Sequence, residues 1–317
     1  MFKNKINSIY KNTIYMFEKI FWIFKNIKSL NNINTLLKDF IFRYIFKKKI
    51  AWNIAYARVN WKKSFRRNKI TIIPNPKNRW FADPFVEKKG SSYYVFFEDF
   101  SFKKNKGSIS CIKIDKKNKI KYFKEIIDEN FHLSFPFIFK YNNHLFMTPE
   151  SSEDKSIRLY KCVKFPNKWK FMKKIIKNVE LVDPIIFKQN NRWILLASKK
   201  KIKFIYTKLF LYTSKNPLSS NWKPLASNPV IDSPILGRNA GLIKESHKNI
   251  YRISQAHLPG KYGAFISINK ILNFSKNNYF ENNVKDIFLN HDKNIEGIHT
   301  LNYAKNFTVF DCSKWEK

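Results

Sequence analysis

Five times along this chain a short apolar strand opens on a polar residue, turns, and returns as a second strand. The openings read Phe81-Ala-Asp-Pro-Phe-Val-Glu, Ser134-Phe-Pro-Phe-Ile-Phe, Val182-Asp-Pro-Ile-Ile-Phe, Arg238-Asn-Ala-Gly-Leu-Ile and Gly297-Ile-His-Thr-Leu-Asn. Setting Pro84 on Pro136 brings Glu98 onto Glu150, 14 residues downstream in both. The same offset leads from Pro184 to Ser198 and from Ala240 to Ser254. A unit of about 48 to 60 residues built only of short strands is the pattern of a β-propeller, whose sheets bury their faces against one another. The expected fold is therefore all-β: a five-bladed β-propeller over residues 51–317, preceded by a short basic α-helical extension over residues 1–50.

The fifth copy runs out near Lys317 with two strands of its own. The strands expected at Trp52–Val59 and Lys69–Ile73 can complete that blade and close the ring, which removes an exposed sheet edge. Before them, Ile9, Tyr10, Ile14, Phe17, Ile20, Phe21 and Phe24 recur at helical spacing among lysines. Glu18 and Lys19 interrupt this stretch, and it is too short to span a bilayer. Two basic amphipathic helices, over 17–26 and 36–46, are expected instead. They fit equally well as a cap on the propeller or as an attachment to an anionic membrane surface.

Composition excludes several functions. The chain has 7 Gly, and none falls in a GxGxxG or GxxxxGK[ST] pattern, so a phosphate-cradling loop is not expected. The 3 Cys are far apart with no CxxC spacing, which argues against structural zinc and a disulfide framework and fits a reducing cytoplasm. No metal and no cofactor is expected. The formal net charge of +38 suggests a polyanion partner. Yet Lys supplies nearly all of it, whereas nucleic-acid readers lean on the forked contacts of Arg. A solvated basic surface is the simpler reading, with no specific nucleic acid as partner.

Inner-strand entries of a propeller face one central mouth. Here they carry Asp83, Ser134, Asp183, Arg238 with Asn239, and His299, while the ends of the second strands add Glu98, Asp99, Glu150, Ser151 and Gln255. Such a density of carboxylates suits acid–base chemistry or a sugar, which needs many directional hydrogen bonds and an aromatic platform. Asp83, Glu150 and Asp183 are the candidate catalytic groups. Glu98, His132, Ser151, Arg238, Asn239, Gln255, Tyr262 and His299 are the candidate substrate-binding groups. Trp80, Phe81 and His257 on neighbouring segments are further candidates for the platform. The bland alternative for Asp83 and Asp183 is a turn device, since Asp-Pro caps its own backbone. That for Arg238 is a buried ion pair.

At these residues the chain resembles a known family. Arg79-Trp-Phe-Ala-Asp-Pro-Phe, His132-Leu-Ser-Phe-Pro-Phe, Thr148-Pro-Glu-Ser-Ser, Ile157-Arg-Leu-Tyr, Arg238-Asn-Ala-Gly and Gly297-Ile-His-Thr-Leu-Asn occur in the order seen in the N-terminal domain of plant glucosamine inositolphosphorylceramide transferases and their bacterial relatives. More distantly it is similar to the five-bladed propellers of glycoside hydrolase family 43. The first resemblance implies a role in surface-polysaccharide or glycolipid assembly, beside a glycosyltransferase or formyltransferase partner. The second implies a sugar-binding cavity with a base Asp, matched by Asp83, and a tuning Asp, matched by Asp183. The hydrolases place their acid Glu after both, whereas Glu150 lies between them.

The expected function is thus a glycan-active protein that binds a sugar, activated or lipid-linked, in the central pocket and acts in glycosyl transfer. The alternatives are a non-catalytic recognition module and a glycoside hydrolase-like enzyme. The expected location is the cytoplasm, peripheral on the inner face of the membrane.

Overall fold

The computed structural model describes residues 49–316, apart from 64–69, 190, 201–206, 247–248, 259–260, 275–277 and 290–294. The helices expected over 17–26 and 36–46 lie outside the described residues. The first elements are β1 (Lys49–Ala57) and β2 (Thr71–Ile72). Blade 1 follows as β3 (Arg79–Lys89), β4 (Ser92–Ser101), β5 (Lys106–Ile114) and β6 (Ile120–Ile127). Blade 2 is β7 (Ser134–Tyr141), β8 (His144–Glu150), β9 (Ser156–Lys164) and β10 (Lys168–Lys177). Blade 3 is β11 (Val182–Gln189), β12 (Arg192–Lys200), β13 (Thr207–Ser214), β14 (Lys223–Pro224) and β15 (Ile231–Asp232). Blade 4 is β16 (Asn239–Lys244), β17 (Ile250–Leu258), β18 (Lys261–Phe274) and β19 (Tyr279–Ile287). The chain ends in β20 (Ile295–Gly297), β21 (Leu301–Ala304) and β22 (Phe307–Glu316).

These strands form five separate antiparallel sheets, four of them chains of consecutive strands. The innermost strands pack in a ring: β3 on β7, β7 on β11, β11 on β16, β16 on β21, and β21 back on β3. The fold is a five-bladed propeller, and its fifth blade holds both chain ends. There β1 lies between β22 and β2, paired with β22 over nine residues from Lys49↔Glu316 to Ala57↔Thr308. Ile54, Ala55 and Phe310 are fully buried in this seam, so apolar burial as well as hydrogen bonding holds it shut.

The strand pattern explains the packing. Continuous apolar runs such as Tyr93–Phe97 and Trp193–Ala197 sit in the middle of sheets covered on both faces, and nearly every side chain in them is buried. Polar alternation appears at the perimeter, as in the outer strand β10.

One local irregularity recurs in every blade and builds the site. The register Ala82↔Glu98 jumps to Phe85↔Phe96, Ser134↔Glu150 to Phe137↔Thr148, and Val182↔Ser198 to Ile185↔Leu196. Shorter shifts follow Asn239↔Ser254 and separate Ile295 from Gly297↔Ser313. Within the three longer bulges Asp83, Phe135 and Asp183 take φ of 51°, 45° and 51°. Left-handed backbone before proline is uncommon, since proline favours an extended preceding residue. It breaks the strict side-chain alternation of a strand and re-aims the bulged residue. In blade 2 the re-aimed residue is Phe135, so the equivalent of Asp83 is not Ser134, as expected, but an apolar residue packed against Phe85.

Candidate active site

Asp83 is buried beside the fifth blade. His299 Nε2 lies 3.0 Å from its Oδ1, and Thr300 Oγ1 donates to the same oxygen at 2.7 Å. The Phe135 amide donates to Oδ2 at 3.2 Å. On its other side His299 Nδ1 lies 3.2 Å from Asp311 Oδ2. Asp311 also accepts the amides of His299 and Thr300 at 2.9 Å each and that of Asp83 at 3.1 Å. The imidazole is thus held between two carboxylates. Burial opposes its protonation, but the charges of Asp311 and Asp83 overcome this and raise its pKa. Burial likewise pushes Asp83 up, yet His299 and the Thr300 hydroxyl outweigh it and hold the carboxyl below its usual value. For Asp311 burial wins, and its pKa rises.

Ligand atoms of Asp83, His299 and Asp311 fall within 4.8 Å of one another, a spacing that would suit a cation. The donors just described already occupy the carboxylate oxygens. The trio therefore reads as a hydrogen-bonded clamp rather than a metal centre.

Asp183 is the counterpart of Asp83 in blade 3. Arg238 Nε donates to its Oδ2 at 2.5 Å, and the Gln255 amide approaches the same oxygen at 3.5 Å. Burial is the largest influence on Asp183 and raises its carboxyl to about 8; Arg238 opposes this, and Glu150 adds to it. Arg238 also meets His257 Nε2 at 3.2 Å and lies 5.4 Å from the centre of the Tyr262 ring. Tyr262, 45% exposed, spans from His257 to His299 and the edge of Trp52, with ring centres at 4.8, 5.2 and 5.9 Å. It forms an aromatic rim over the charged groups. Gly263 next to it has φ of +63°, and a Cβ there would meet Trp52 at 2.9 Å and His299 at 3.0 Å. Only glycine lets the rim close down on His299.

Glu98 and Glu150 sit at equivalent points of adjacent blades, as their common offset from the prolines requires. Both are nearly fully buried. Glu150 Oε1 accepts from Ser152 Oγ at 3.0 Å, while Oε2 is buried with no hydrogen-bond partner. Gln255 Oε1 is likewise buried and unpartnered, although its amide nitrogen donates to Asn239 O. Burial raises the Glu98 carboxyl well above the usual carboxylate range, and the charges of Asp83, Glu150, Asp311 and Asp183 push it further. His132 Nε2 lies 3.2 Å from Glu98 Oε1.

Other expected residues have structural attachments. Ser151 Oγ donates to Ser156 O at 2.7 Å inside a tight turn. Asn239 bridges blades 3 and 4, donating to Asp183 O at 2.8 Å and Leu196 O at 3.1 Å. Asp99 belongs to a separate network in blade 1 with Arg79, Ser110 and Tyr122. Phe81, expected as a sugar platform, is instead a core residue packed on Phe97, and Trp80 is stacked on Phe100. Sequence reasoning missed Asp311, Thr300 and Trp52, all three in the seam blade.

The comparisons with known proteins agree with this architecture. Residues 50–311 match the family model described as glucosamine inositolphosphorylceramide transferase 1, N-terminal. The chain belongs to this family. It is 34% identical over 215 residues to glucosamine inositolphosphorylceramide transferase 1 of Arabidopsis thaliana, covering 65% of this chain and 27% of that protein. The Oryza sativa subsp. japonica protein of the same name is 31% identical over 211 residues, covering 65% and 28%. The chain thus spans about a quarter of the length of these relatives. Among solved structures it superposes on an α-L-arabinofuranosidase from Podospora anserina with a TM-score of 0.54 at 8% identity, covering 75% of this chain and 91% of that one. A family 117 glycoside hydrolase from Zobellia galactanivorans gives a TM-score of 0.52 at 12% identity, covering 83% and 90%. At such identities the likeness is one of fold.

Proposed function

We propose that this protein is a glycan-active enzyme of glycolipid or envelope-polysaccharide assembly, acting in glycosyl transfer on a sugar bound between the inner-strand entries. The observation that carries this reading is a buried carboxylate cluster with unmet hydrogen-bond capacity. Glu150 Oε2 and Gln255 Oε1 are acceptors sealed from solvent without donors. Leaving such an atom unpaired costs about 1–3 kcal/mol, so a ligand rich in hydroxyl donors is the natural complement. Proton affinities are also pushed apart, with Asp83 lowered and Asp183 and Glu98 raised. Such separation lets one site supply both an ionised and a neutral carboxyl at one pH. In this reading Asp83 offers negative charge to a developing oxocarbenium centre, Glu150 binds sugar hydroxyls, and Tyr262 supplies the apolar platform.

A sugar phosphate would call for cations at the mouth, but Arg238 and His299 both already face carboxylates. The cluster is therefore better matched to the uncharged glycosyl part of a substrate. The names of the relatives support a lipid-linked or glycolipid substrate, and a partner glycosyltransferase or formyltransferase fits the same role. The net charge of +38 supports work beside an anionic surface at the cytoplasmic membrane face. No helix among the described residues is long and apolar enough to cross a membrane.

The test is release of nucleotide from a panel of nucleotide-sugars, with a crude lipid acceptor, by the wild type and by Asp83→Asn and Glu150→Gln. Release lowered about 10²–10⁴-fold in either variant is the expected outcome. Unchanged release in both variants would remove these carboxylates from the chemistry. Saturable glycan binding without release from any donor would make the propeller a recognition module.

A further inference from the structure

Among the described residues no Lys or Arg is paired with Glu98. Asp83 faces His299 and Asp183 faces Arg238, whereas Glu98 faces His132, whose charge state the backbone controls. The Gly107 amide donates to His132 Nδ1 at 3.0 Å. A ring nitrogen that accepts from an N–H cannot carry a proton, so the ring is neutral with its hydrogen on Nε2. That Nε2 lies 3.2 Å from Glu98 Oε1, an oxygen that is buried without a hydrogen-bond partner. Gly107 serves a second purpose here: a Cβ on it would meet Glu98 Oε1 at 2.9 Å and Leu133 O at 2.5 Å. The absence of a side chain thus makes room for the carboxyl while the backbone fixes the imidazole.

Burial of this carboxyl, 4% exposed, and the neighbouring acidic groups of Asp83, Glu150, Asp311 and Asp183 push its pKa well above the usual range and favour its neutral form. Its buried Oε1 has no hydrogen-bond partner among the described residues.

We propose that Glu98, rather than Glu150, is the proton-donating group of this site: a neutral carboxylic acid held beside neutral His132 that gives its proton to an oxygen of the bound glycosyl unit. This rests on the glycosyl-transfer reading above. As the bond from the anomeric carbon to the departing oxygen breaks, that oxygen keeps the bonding pair and takes the Glu98 proton. The hydroxyl that replaces it yields its proton to the Glu98 carboxylate, which restores the acid. His132 Nε2–H remains in place to stabilise the transient anion, so no further reagent is required. His132 is a positioning residue in this scheme.

The test separates the state of Glu98 from the reaction. Infrared difference spectra of the full chain, wild type against Glu98→Gln, are recorded from pH 5 to 9, with circular dichroism to confirm that the variant is folded. The expected result is a protonated-carboxyl C=O band at pH 7 in the wild type that the variant lacks. Carboxylate bands in its place at pH 7 would overturn the proposal, whatever the activity. In the nucleotide-release assay Glu98→Gln is expected to lose about 10²–10⁴-fold and to lose the alkaline limb of the pH profile. A variant with wild-type rate and profile would overturn the donor role even if the band is present. If the wild type releases nothing from any donor, the glycosyl-transfer reading fails and takes the donor role with it, and the infrared result still decides the charge of Glu98.

Discussion

Asp183→Asn separates two opposed physical pictures of the Asp183–Arg238 pair. Burial favours the neutral acid and raises the carboxyl from about 3.8 to about 8, whereas the guanidinium at 2.5 Å favours the anion. If burial wins, the folded chain holds a proton on Asp183 that the unfolded chain has released, throughout the interval from about pH 4 to about pH 8. The folded state then binds more protons, and stability falls as pH rises, by about 1.4 kcal/mol per unit for one full proton. Between pH 5 and 7 the wild type should lose about 2.7 kcal/mol relative to Asp183→Asn, which has nothing to titrate at this position. Above about pH 8 the difference should level off. Urea midpoints at half-unit intervals of pH, with m unchanged between the two proteins, read this directly. A difference that stays flat from pH 5 to 8 would show that Arg238 keeps Asp183 ionised, and would refute the reasoning.

Two further predictions concern the scaffold. Arg252 is fully buried and bonded to both oxygens of Glu281, to Leu236 O and to Asn239 Oδ1, while Tyr279 also donates to Glu281. Arg252→Met should cost about 3–5 kcal/mol in urea unfolding, and adding Glu281→Leu should recover part of the loss, because the orphaned charge does most of the damage. Ala55→Glu places a charge at the fully buried centre of the seam strand, opposite Phe310. It should lower the thermal midpoint by more than any charge placed on the exposed perimeter of β10, as measured by calorimetry.

The architecture was legible in the sequence because the propeller repeats a local pattern. The 14-residue offset that aligned Glu98 with Glu150 is the hairpin register itself, with Ala82 opposite Glu98 and Ser134 opposite Glu150. The seam was legible too, since the last copy lacked outer strands and the first segment supplied them. What repetition could not reveal was what happens where copies differ. Asp311 sits in the apolar run Val309–Cys312, and its role appears only when β22 is folded against the entries of blades 1 and 5. Arg252 is a single charge in β17 whose partner lies 29 residues later on β19. Ser134 stands at the blade 2 entry in the sequence reading, yet the alignment of Pro84 with Pro136 already brings Phe135, not Ser134, onto Asp83, and the bulge falls on the residue before each proline. Pairings across blades depend on tertiary geometry, and no periodicity announces them.

The pairing of Lys49 with Glu316 means that the two ends of the described chain leave the ring side by side. A linker of a few residues would join them, and new termini could then be opened in an exposed turn between Lys89 and Ser92 without cutting any sheet. For the native order the implication is topological. Whatever precedes β1 and whatever follows β22 therefore leave the fifth blade from neighbouring points, so an attachment made at either end holds the propeller by the same place.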